Sequence, residues 1–358
     1  MKAIILIILL GASLAAGATL YSVVDLGSLG GNSSVAYHIN NAGVVVGWSR
    51  TATNDNHAFT AATTGSPHDV NQAAASNSFA YGNNGSGQIV GTSYIDGQSH
   101  GTLWSGSGLT DLGAGTAAIS INASGQIAGG NGRAFVYGNG QFTDIGTLSG
   151  GHWSQAYGIN DSGTAVGYGA TANGFRAFTW SATSGLSALG TLGGNSSYAM
   201  AVNNLGQVAG HSVAGDGYDH AFISNNGILT DIGSTGSNSF GYGINNGGSV
   251  VGYNAAGAFL YSNGTVVNLN SMLSPNSGWD LQQAYGINDG GKIVGTGMFQ
   301  GQSRAFELDP LILGVAAPVS VPEPGSLVLL GVGLILLVAR RRHWRPAGRP
   351  DKLKHVLR

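Results

Sequence analysis

The chain has 358 residues, of which 62 are glycine and only 8% are charged, so it is poor in the residues that cover the solvent face of helices. Hydrophobic residues make up 42% of the sequence, enough to fill a core, and the absence of cysteine excludes disulfides and thiol catalysis. Between residues 19 and 320, five basic and fourteen acidic residues give a net charge of −9, which disfavours nucleic acid as a partner.

The N-terminus has the three parts of a secretory signal. Lys2 precedes the apolar run 3–10, and small residues then lead to Ala16-Gly17-Ala18. This order predicts a signal peptide over residues 1–18, removed by signal peptidase after Ala18. The alternative is a buried first helix.

The body of the chain repeats one short phrase, as in AYGINDSGTAVGYG at 156–169. Two glycines lie three and seven residues after an asparagine in every copy, and β-forming residues lie between them. This spacing predicts a hairpin whose turn needs glycine for a positive φ. The copies begin every 38 to 44 residues, at Asn40, Asn84, Asn122, Asn160, Asn203, Asn245 and Asn288.

Each copy continues with two further strand signals. The first is HAF or a variant, and the second is DLG or a variant, so a unit of about 42 residues holds four short strands. Seven such units predict an all-β, seven-bladed β-propeller over residues 19–310. The first DLG, at 25–27, precedes the first hairpin and the seventh unit has none of its own. We therefore predict that residues 21–31 pair with residues 304–307 and close the last blade.

These units resemble the HAF-repeat family of bacterial extracellular proteins. The resemblance rests on His-Ala-Phe at 57–59 and 220–222, and on LGSLGG, IGTLSGG and LGTLGGN at 26–31, 145–151 and 189–195. It spans residues 24–306. The resemblance implies location and architecture, and it brings no activity with it.

A His or Arg opens the third strand in six units, and in five of them it lies 11 or 12 residues before a DLG-type position. A ring of such groups could bind an anionic sugar. We favour structural pairs within each blade, because the unit that has Gly257 in place of the cation also has Asn268 in place of the acid. The predicted pairs are His57 with Asp69, His100 with Asp111, Arg133 with Asp144, His220 with Asp231, and Arg304 with Asp25.

The sequence offers little for catalysis or metal binding. We find no nucleophile elbow, P-loop or dinucleotide fingerprint, and the histidines lack metal-ligand spacing. The turn asparagines have a turn role that competes with a role as calcium ligands. Asp216 and Asp219 could form a hydrolytic pair, but a solvated hairpin tip is the simpler interpretation. We therefore predict no catalytic residue, no metal and no cofactor.

The C-terminus reads VPEPGSLVLLGVGLILLVARRRHW from residue 321. Residues 311–325 form the predicted linker, 326–339 an uncharged membrane-spanning segment, and 340–358 a basic cytoplasmic tail. Val321, Pro322, Glu323 and Pro324, with Arg340, Arg341 and Arg342, resemble the PEP-CTERM sorting signal of exopolysaccharide-producing bacteria. The resemblance implies an inner-membrane stage, cleavage by an exosortase and release to the cell surface or matrix.

Together these features predict an exported, non-enzymatic surface or matrix protein, structural or binding, that associates with exopolysaccharide. The alternative is a secreted propeller enzyme that hydrolyses or eliminates glycan bonds.

Overall fold

A computed structural model describes residues 20–62, 66–71, 77–106, 108–233 and 235–311. The predicted signal peptide at 1–18, the membrane-spanning segment at 326–339 and the tail at 340–358 lie outside the described residues, as does the linker beyond residue 311. No helix within the described ranges has the length and apolar character needed to cross a bilayer.

The described chain is all-β, apart from one short 3-10 helix at Leu269–Met272. The N-terminal strand β1 spans Leu20–Asp25. Unit 1 then holds β2 (Gly30–Ile39), β3 (Val44–Thr51), β4 (Asn56–Ala62) and β5 (His68–Asp69). Unit 2 holds β6 (Ser78–Asn83), β7 (Ile89–Ile95), β8 (Gln98–Ser105) and β9 (Gly108–Ala114). Unit 3 holds β10 (Ala117–Ile121), β11 (Ile127–Gly130), β12 (Ala134–Gly138) and β13 (Gln141–Gly146).

The remaining units follow the same order. Unit 4 holds β14 (Ser154–Ile159), β15 (Ala165–Thr171), β16 (Gly174–Ser181) and β17 (Gly185–Ala188). Unit 5 holds β18 (Gly193–Val202), β19 (Val208–Ala214), β20 (Asp219–Asn225) and β21 (Ile228–Asp231). Unit 6 holds β22 (Ser239–Ile244), β23 (Val250–Asn254), β24 (Gly257–Ser262) and β25 (Thr265–Asn268). Unit 7 holds β26 (Trp279–Ile287), β27 (Ile293–Phe299) and β28 (Gln302–Leu311).

Units 2 to 6 are separate four-stranded antiparallel sheets, and none of the sheets closes on itself within the described chain. Units 7 and 1 share one eight-stranded sheet, in which a single parallel bridge joins Ser33 to Ser303.

The N-terminal strand supplies the fourth strand of unit 7. β1 runs antiparallel to β28, with Val24 opposite Glu307 and Asp25 opposite Phe306, as the sequence predicts. The pairing extends to Leu26, whose N–H donates to the Ala305 carbonyl at 3.1 Å. Residues 30 and 31 instead begin β2. The outer edge of β28, which would otherwise present unpaired backbone groups, is thereby covered.

The hairpin turn of each unit has the predicted conformation. In unit 4 the Asn160 N–H donates to the Thr164 carbonyl and the Gly163 N–H to the Asn160 carbonyl, both at 3.0 Å. Gly163 has φ +79°, and the corresponding glycines of the other units also have positive φ. This backbone region strains any residue with a Cβ, so the first glycine of the repeat is required by the turn.

The second glycine of the repeat is required by a close approach between strands. The pairing of β14 with β15 shifts register between Ala156 and Gly158, which brings the Gln155 carbonyl against Gly167. A Cβ at Gly167 would lie 2.0 Å from that oxygen. The corresponding glycines in the other units meet a backbone carbonyl oxygen at 1.9 to 2.0 Å: Gly47, Gly91, Gly129, Gly210, Gly252 and Gly295.

The phenylalanine of the HAF phrase fills the core of a unit. Phe222, in β20, is fully buried, and its ring tip lies 3.0 Å from the position that a Cβ on Gly210 would occupy. Burial of such a side chain contributes about 1.5–3 kcal/mol. The equivalent buried residues are Phe59, Phe135, Phe178, Phe259 and Phe306.

We expect Gly167→Ala to lower the free energy of unfolding by about 2–3 kcal/mol, because strand β14 must move away from the new methyl group. The control is Gly190→Ala, where a Cβ meets no atom within 4 Å. It should change stability by less than about 0.5 kcal/mol. Urea unfolding followed by circular dichroism measures both, and equal losses would contradict the packing role of Gly167.

Candidate functional site

The turn asparagines form a cycle of hydrogen bonds around a common axis. The Nδ2 group of each donates to the backbone carbonyl of the turn asparagine in the next unit, over 2.9 to 3.1 Å. The order is Asn40, Asn84, Asn122, Asn160, Asn203, Asn245 and Asn288, and Asn288 donates back to Asn40. The first strands of all seven units are thus tied together at one end of the axis.

The same side chains also hold their own turns. The Oδ1 atom of Asn40 accepts from the Ala42 N–H at 3.0 Å and from the Val44 N–H at 2.9 Å. Both ends of the amide are therefore used by the backbone, which accounts for asparagine at this position without a calcium ion.

A second set of polar residues, which the sequence reasoning missed, surrounds this axis one position further along the chain. Oδ1 of Asn204 accepts from the Asp161 N–H at 3.0 Å, and Oδ1 of Asp289 accepts from the Asn246 N–H at 2.9 Å. Asn41 continues the series by accepting from the Asp289 N–H at 3.0 Å. We call these residues the polar rim: Asn41, Asp161, Asn204, Asn246 and Asp289.

The rim is uneven in charge and in composition. Partial burial would raise the pKa of Asp289, but the hydrogen bonds from the Asn246 N–H and from the Asn246 and Asn41 amides outweigh it and lower the pKa. Units 2 and 3 have Gly85 and Ala123 at the rim position. Neither has a side chain that can accept a hydrogen bond, so the series is interrupted there.

Below the turn asparagines lies an aromatic cavity of about 440 Å³ on the same axis. Its wall includes the residue three positions before each turn asparagine: Tyr37, Tyr81, Ile119, Tyr157, Met200, Tyr242 and Tyr285. Neighbouring rings contact one another, with centroids 5.3 Å apart for Tyr242 and Tyr285, 5.2 Å for Tyr285 and Tyr37, and 5.5 Å for Tyr37 and Tyr81. We call this cavity the tyrosine chamber.

The tyrosines of the chamber stay protonated. Burial raises the pKa of Tyr157, Tyr242 and Tyr285 well above the usual value of a phenol. Tyr157 is also near enough to Tyr81, and Tyr242 to Tyr157, for the charge of one phenolate to raise the pKa of the other. The chamber is therefore lined by neutral hydroxyl groups at physiological pH.

In the chamber wall, the position two residues before the turn asparagine is glycine in four units, serine or alanine in two, and histidine in unit 1. His38 stands where units 2, 4, 6 and 7 have glycine, and its Nδ1 lies 2.8 Å from Oδ1 of Asn83. Because the Asn83 amide donates through Nδ2 to the Val44 carbonyl at 3.1 Å, its oxygen is the acceptor and Nδ1 of His38 carries the hydrogen. Burial lowers the pKa of His38. Its Nε2 atom is consequently an acceptor in the neutral ring.

A second cavity of about 330 Å³ lies on the rim side and shares part of its wall with the chamber. His38 lines both cavities. Five aliphatic residues are common to the two walls as well: Ile121, Ile159, Val202, Ile244 and Ile287.

The structure brings four of the five predicted ion pairs together. Nδ1 of His57 lies 2.7 Å from Asp69, Nδ1 of His100 2.9 Å from Asp111, Nε of Arg133 2.8 Å from Asp144, and Nδ1 of His220 2.7 Å from Asp231. These pairs lie where the third strand begins and the fourth ends. In an antiparallel meander this is the end opposite the asparagine turns.

The fifth pair is not formed among the described residues. The Arg304 guanidinium instead donates to Oε1 of Gln302, while Oδ1 of Asp25 accepts from the Gly27 N–H at 2.8 Å. The backbone positions do correspond, because Asp25 lies opposite Phe306 as Asp69 lies opposite Phe59. The backbone therefore places the two residues as in the other units, and only the Arg304 side chain is directed to a different partner.

The aspartates have a second role that does not need the cation. Oδ1 of Asp144 accepts from the Gly146 N–H at 2.7 Å, and Asp111 and Asp231 hold Gly113 and Gly233 in the same way. Asn268 replaces the acid in unit 6 and still accepts from the N–H two residues on, at 2.8 Å. The acid or amide therefore fixes the turn after the fourth strand.

Asp216 contributes to one pair in a way the sequence did not indicate. His220 is buried, and its Nε2 lies 3.2 Å from Asp216 while Nδ1 faces Asp231. Burial would lower the pKa of His220, but the hydrogen bonds and charges of the two carboxylates outweigh it and raise the pKa. The Asp216 carboxylate also accepts from the Gly236 N–H at 3.0 Å, so it is bonded within its own surface loops.

Comparison with known proteins identifies one motif. Residues 320–342 match the PEP-CTERM protein-sorting motif, which supports an exported protein sorted by an exosortase. No curated protein matches the sequence. No similarity supports the HAF-repeat resemblance, which stays a prediction.

The fold is similar to that of solved structures at low identity. A puromycin-hydrolysing peptidase of Mycobacterium tuberculosis matches 77% of this chain with 11% identity and a TM-score of 0.53, and the chain spans about half, 52%, of that peptidase. The WD40 β-propeller domain of Doa1 matches 82% of this chain and 97% of its own, with 13% identity and a TM-score of 0.46. The BP39L lectin of Burkholderia pseudomallei matches 78% of this chain and 99% of its own, with 10% identity and a TM-score of 0.42. The similarity to the peptidase concerns the fold alone.

We expect the Arg133–Asp144 pair to stabilise unit 3 mainly through the aspartate, because both side chains are about half exposed (50% and 57%). Arg133→Ala should lower the free energy of unfolding by less than about 1 kcal/mol. Asp144→Ala should cost about 1–2 kcal/mol, since the Gly146 N–H loses its acceptor.

The double variant should match Asp144→Ala, because Arg133 then has no partner to lose. Urea unfolding of the four proteins measures the cycle. If the losses of unfolding free energy in the two single variants add up to the loss in the double variant, the pairing is contradicted.

His211 stacks on Tyr198 and meets Phe240 edge-on, at centroid distances of 4.7 and 4.9 Å, and burial lowers its pKa from 6.5 to about 4. Its neutral form stabilises the fold above pH 6.5, and this contribution is lost as the pH falls towards 4. Between pH 7 and pH 4.5, protonation of His211 lowers the free energy of unfolding by about 2 kcal/mol. We expect this part of the pH dependence to be absent in His211→Phe. The free energy of unfolding measured at both pH values tests this, and His68→Phe, at an exposed position, is the control. A pH dependence of stability that is unchanged in His211→Phe would contradict the prediction.

Proposed function

We propose that this chain is an exported, exosortase-sorted protein of the cell surface or extracellular matrix, with a non-enzymatic structural or binding role in association with exopolysaccharide. The observation that carries the proposal is the sorting motif at 320–342, which follows a body held together around one axis. In this proposal residues 1–18 are removed by signal peptidase. Residues 326–339 hold the chain in the inner membrane until an exosortase cleaves near 321–324.

The scaffold in this proposal is a closed seven-bladed β-propeller, with one unit per blade. The return of the asparagine cycle from Asn288 to Asn40 supports closure. So does the contact between the last and first units, in which the Ala305 N–H donates to Oγ of Ser34 at 3.0 Å. Equivalent bonds join neighbouring units elsewhere, such as Ala134 to Ser154 at 2.8 Å and Ala177 to Ser197 at 3.0 Å.

The residues around the axis favour binding over bond cleavage. Glycoside hydrolysis uses two facing carboxyl groups, one as acid and one as base or nucleophile. The residues that line the tyrosine chamber include no Asp or Glu. The cavity on the rim side includes Asp161 and Asp289, which are bound to neighbouring amides and backbone N–H groups. These contacts leave the carboxylates in a structural role.

The test uses the full chain in a Gram-negative host that has an exosortase, with Pro322→Ala/Pro324→Ala as the variant and Pro318→Ala as the control. We expect the wild type and the control to be shortened and recovered outside the inner membrane, and the double variant to remain full length in the membrane. Fractionation and immunoblotting measure this.

In the same samples, the exported protein should co-sediment with the exopolysaccharide of the host and release no reducing sugar from it. Equal processing of the variant and the control would contradict the sorting role. Release of sugar would contradict the non-enzymatic role.

A further inference from the structure

The tyrosine chamber is suited to an uncharged ligand. Its described lining residues are tyrosines, small and aliphatic residues, and His38, and none is Asp, Glu, Lys or Arg. The tyrosines are protonated, and burial keeps His38 neutral. A charged group that entered the chamber would lose its hydration and find no opposite charge.

The size and surface of the chamber fit a ring that carries hydroxyl groups. Its volume of about 440 Å³ lies within the range of small-molecule sites, about 300–1,000 Å³. The side chains of Tyr37, Tyr81, Tyr157, Tyr242 and Tyr285 are all partly exposed within it. They provide aromatic surface against which the apolar face of a ring can pack. Their hydroxyls already have partners within the fold: that of Tyr37 accepts from Nε1 of Trp48 at 3.2 Å, that of Tyr157 lies 3.0 Å from the Tyr168 hydroxyl, and that of Tyr285 donates to Gln283.

The chamber wall also holds one acceptor that the symmetry of the repeat does not explain. The side chain of His38 occupies a position that is glycine in four other units, and Asn83 occupies one that is isoleucine or valine in the other six. Asn83 fixes the ring through Nδ1, which leaves Nε2 as an acceptor in a side chain that lines both cavities. A ligand hydroxyl is a suitable donor for it.

The polar rim is interrupted on the side of the axis that holds unit 2. Gly85 lies in the turn of unit 2, the unit that also contributes Asn83, and Ala123 lies in the turn of unit 3. A Cβ at Gly85 would meet no atom within 4 Å, so the space beside it is open. We therefore place the entry route to His38 beside Gly85, where the second cavity is lined by a residue without a side chain.

We propose that the tyrosine chamber binds an uncharged sugar end group, which enters past Gly85 and donates a hydroxyl hydrogen bond to Nε2 of His38. The proposal rests on the proposed function, because it assigns the contact with exopolysaccharide to one cavity. It adds the class of ligand, neutral rather than acidic sugar, and the residue that selects it.

The test measures binding by isothermal titration calorimetry to the full chain in detergent, with glucose, galactose, mannose, their short oligomers, and glucuronic acid as the charged comparison. We expect at least one neutral sugar to bind with a stoichiometry of one, and glucuronic acid not to bind. His38→Leu should weaken binding about tenfold, the equivalent of one hydrogen bond. His68→Leu, at an exposed position, is the matched control.

A second variant keeps the proposal testable if His38→Leu does not fold. Gly85→Trp places a large side chain in open space at the rim and should abolish binding while the circular dichroism spectrum and the thermal transition stay unchanged. Gly190→Trp, also in open space, should bind as the wild type does. Unchanged affinity in both His38→Leu and Gly85→Trp would overturn the proposal, as would the absence of any bound neutral sugar.

Co-sedimentation with whole exopolysaccharide separates the two proposals. If the wild type and His38→Leu both sediment with the polymer to the same extent, the chamber is not the contact and the surface role stands. If neither sediments and no neutral sugar binds, both proposals fail.

Discussion

The cycle of asparagine amides is the interaction on which the rest of this structure depends. Each member accepts from at least one backbone N–H group of its own turn and donates to one backbone carbonyl of the next unit, so it joins local and long-range structure in one side chain. An amide is suited to this task because it presents a donor and an acceptor on one short, rigid group. Aspartate would lack the donor, and glutamine would have to fix an additional torsion angle.

The asparagine cycle and the contacts between units explain why the fold needs few charged residues for its stability. In a repeat protein each unit buries its core against its neighbours, and a break between two units exposes both faces. Here the interfaces are made by a buried phenylalanine in six of the seven units, by serine hydroxyls that accept from the preceding unit, and by the amide cycle. These are short-range contacts with strict geometry. They need glycine at the turn and at the strand crossing, which accounts for much of the glycine content.

Much of the fold could be predicted from the sequence because each structural requirement recurs seven times. The turn glycine, the strand order and the partner of β1 follow from spacing alone, and the structure has all three. The second glycine was visible as a pattern, but its cause lies in a register shift that spacing does not reveal. The Arg304–Asp25 pair was expected by analogy with the other units, but spacing does not reveal that the Arg304 guanidinium donates to Gln302 instead.

The candidate site was harder to predict, because it is formed by residues that depart from the repeat. The tyrosines that lie three positions before the turn asparagine in five of the units read as ordinary strand residues, and only the axial arrangement brings them around one cavity. His38 and Asn83 are more than 40 residues apart, and neither has a counterpart of the same type in the other units. In a symmetric ring, positions that all units share maintain the scaffold, since a change in any one of them affects an interface. Positions where one unit differs are free of that constraint, which is why the proposed contact with a ligand is assigned to His38.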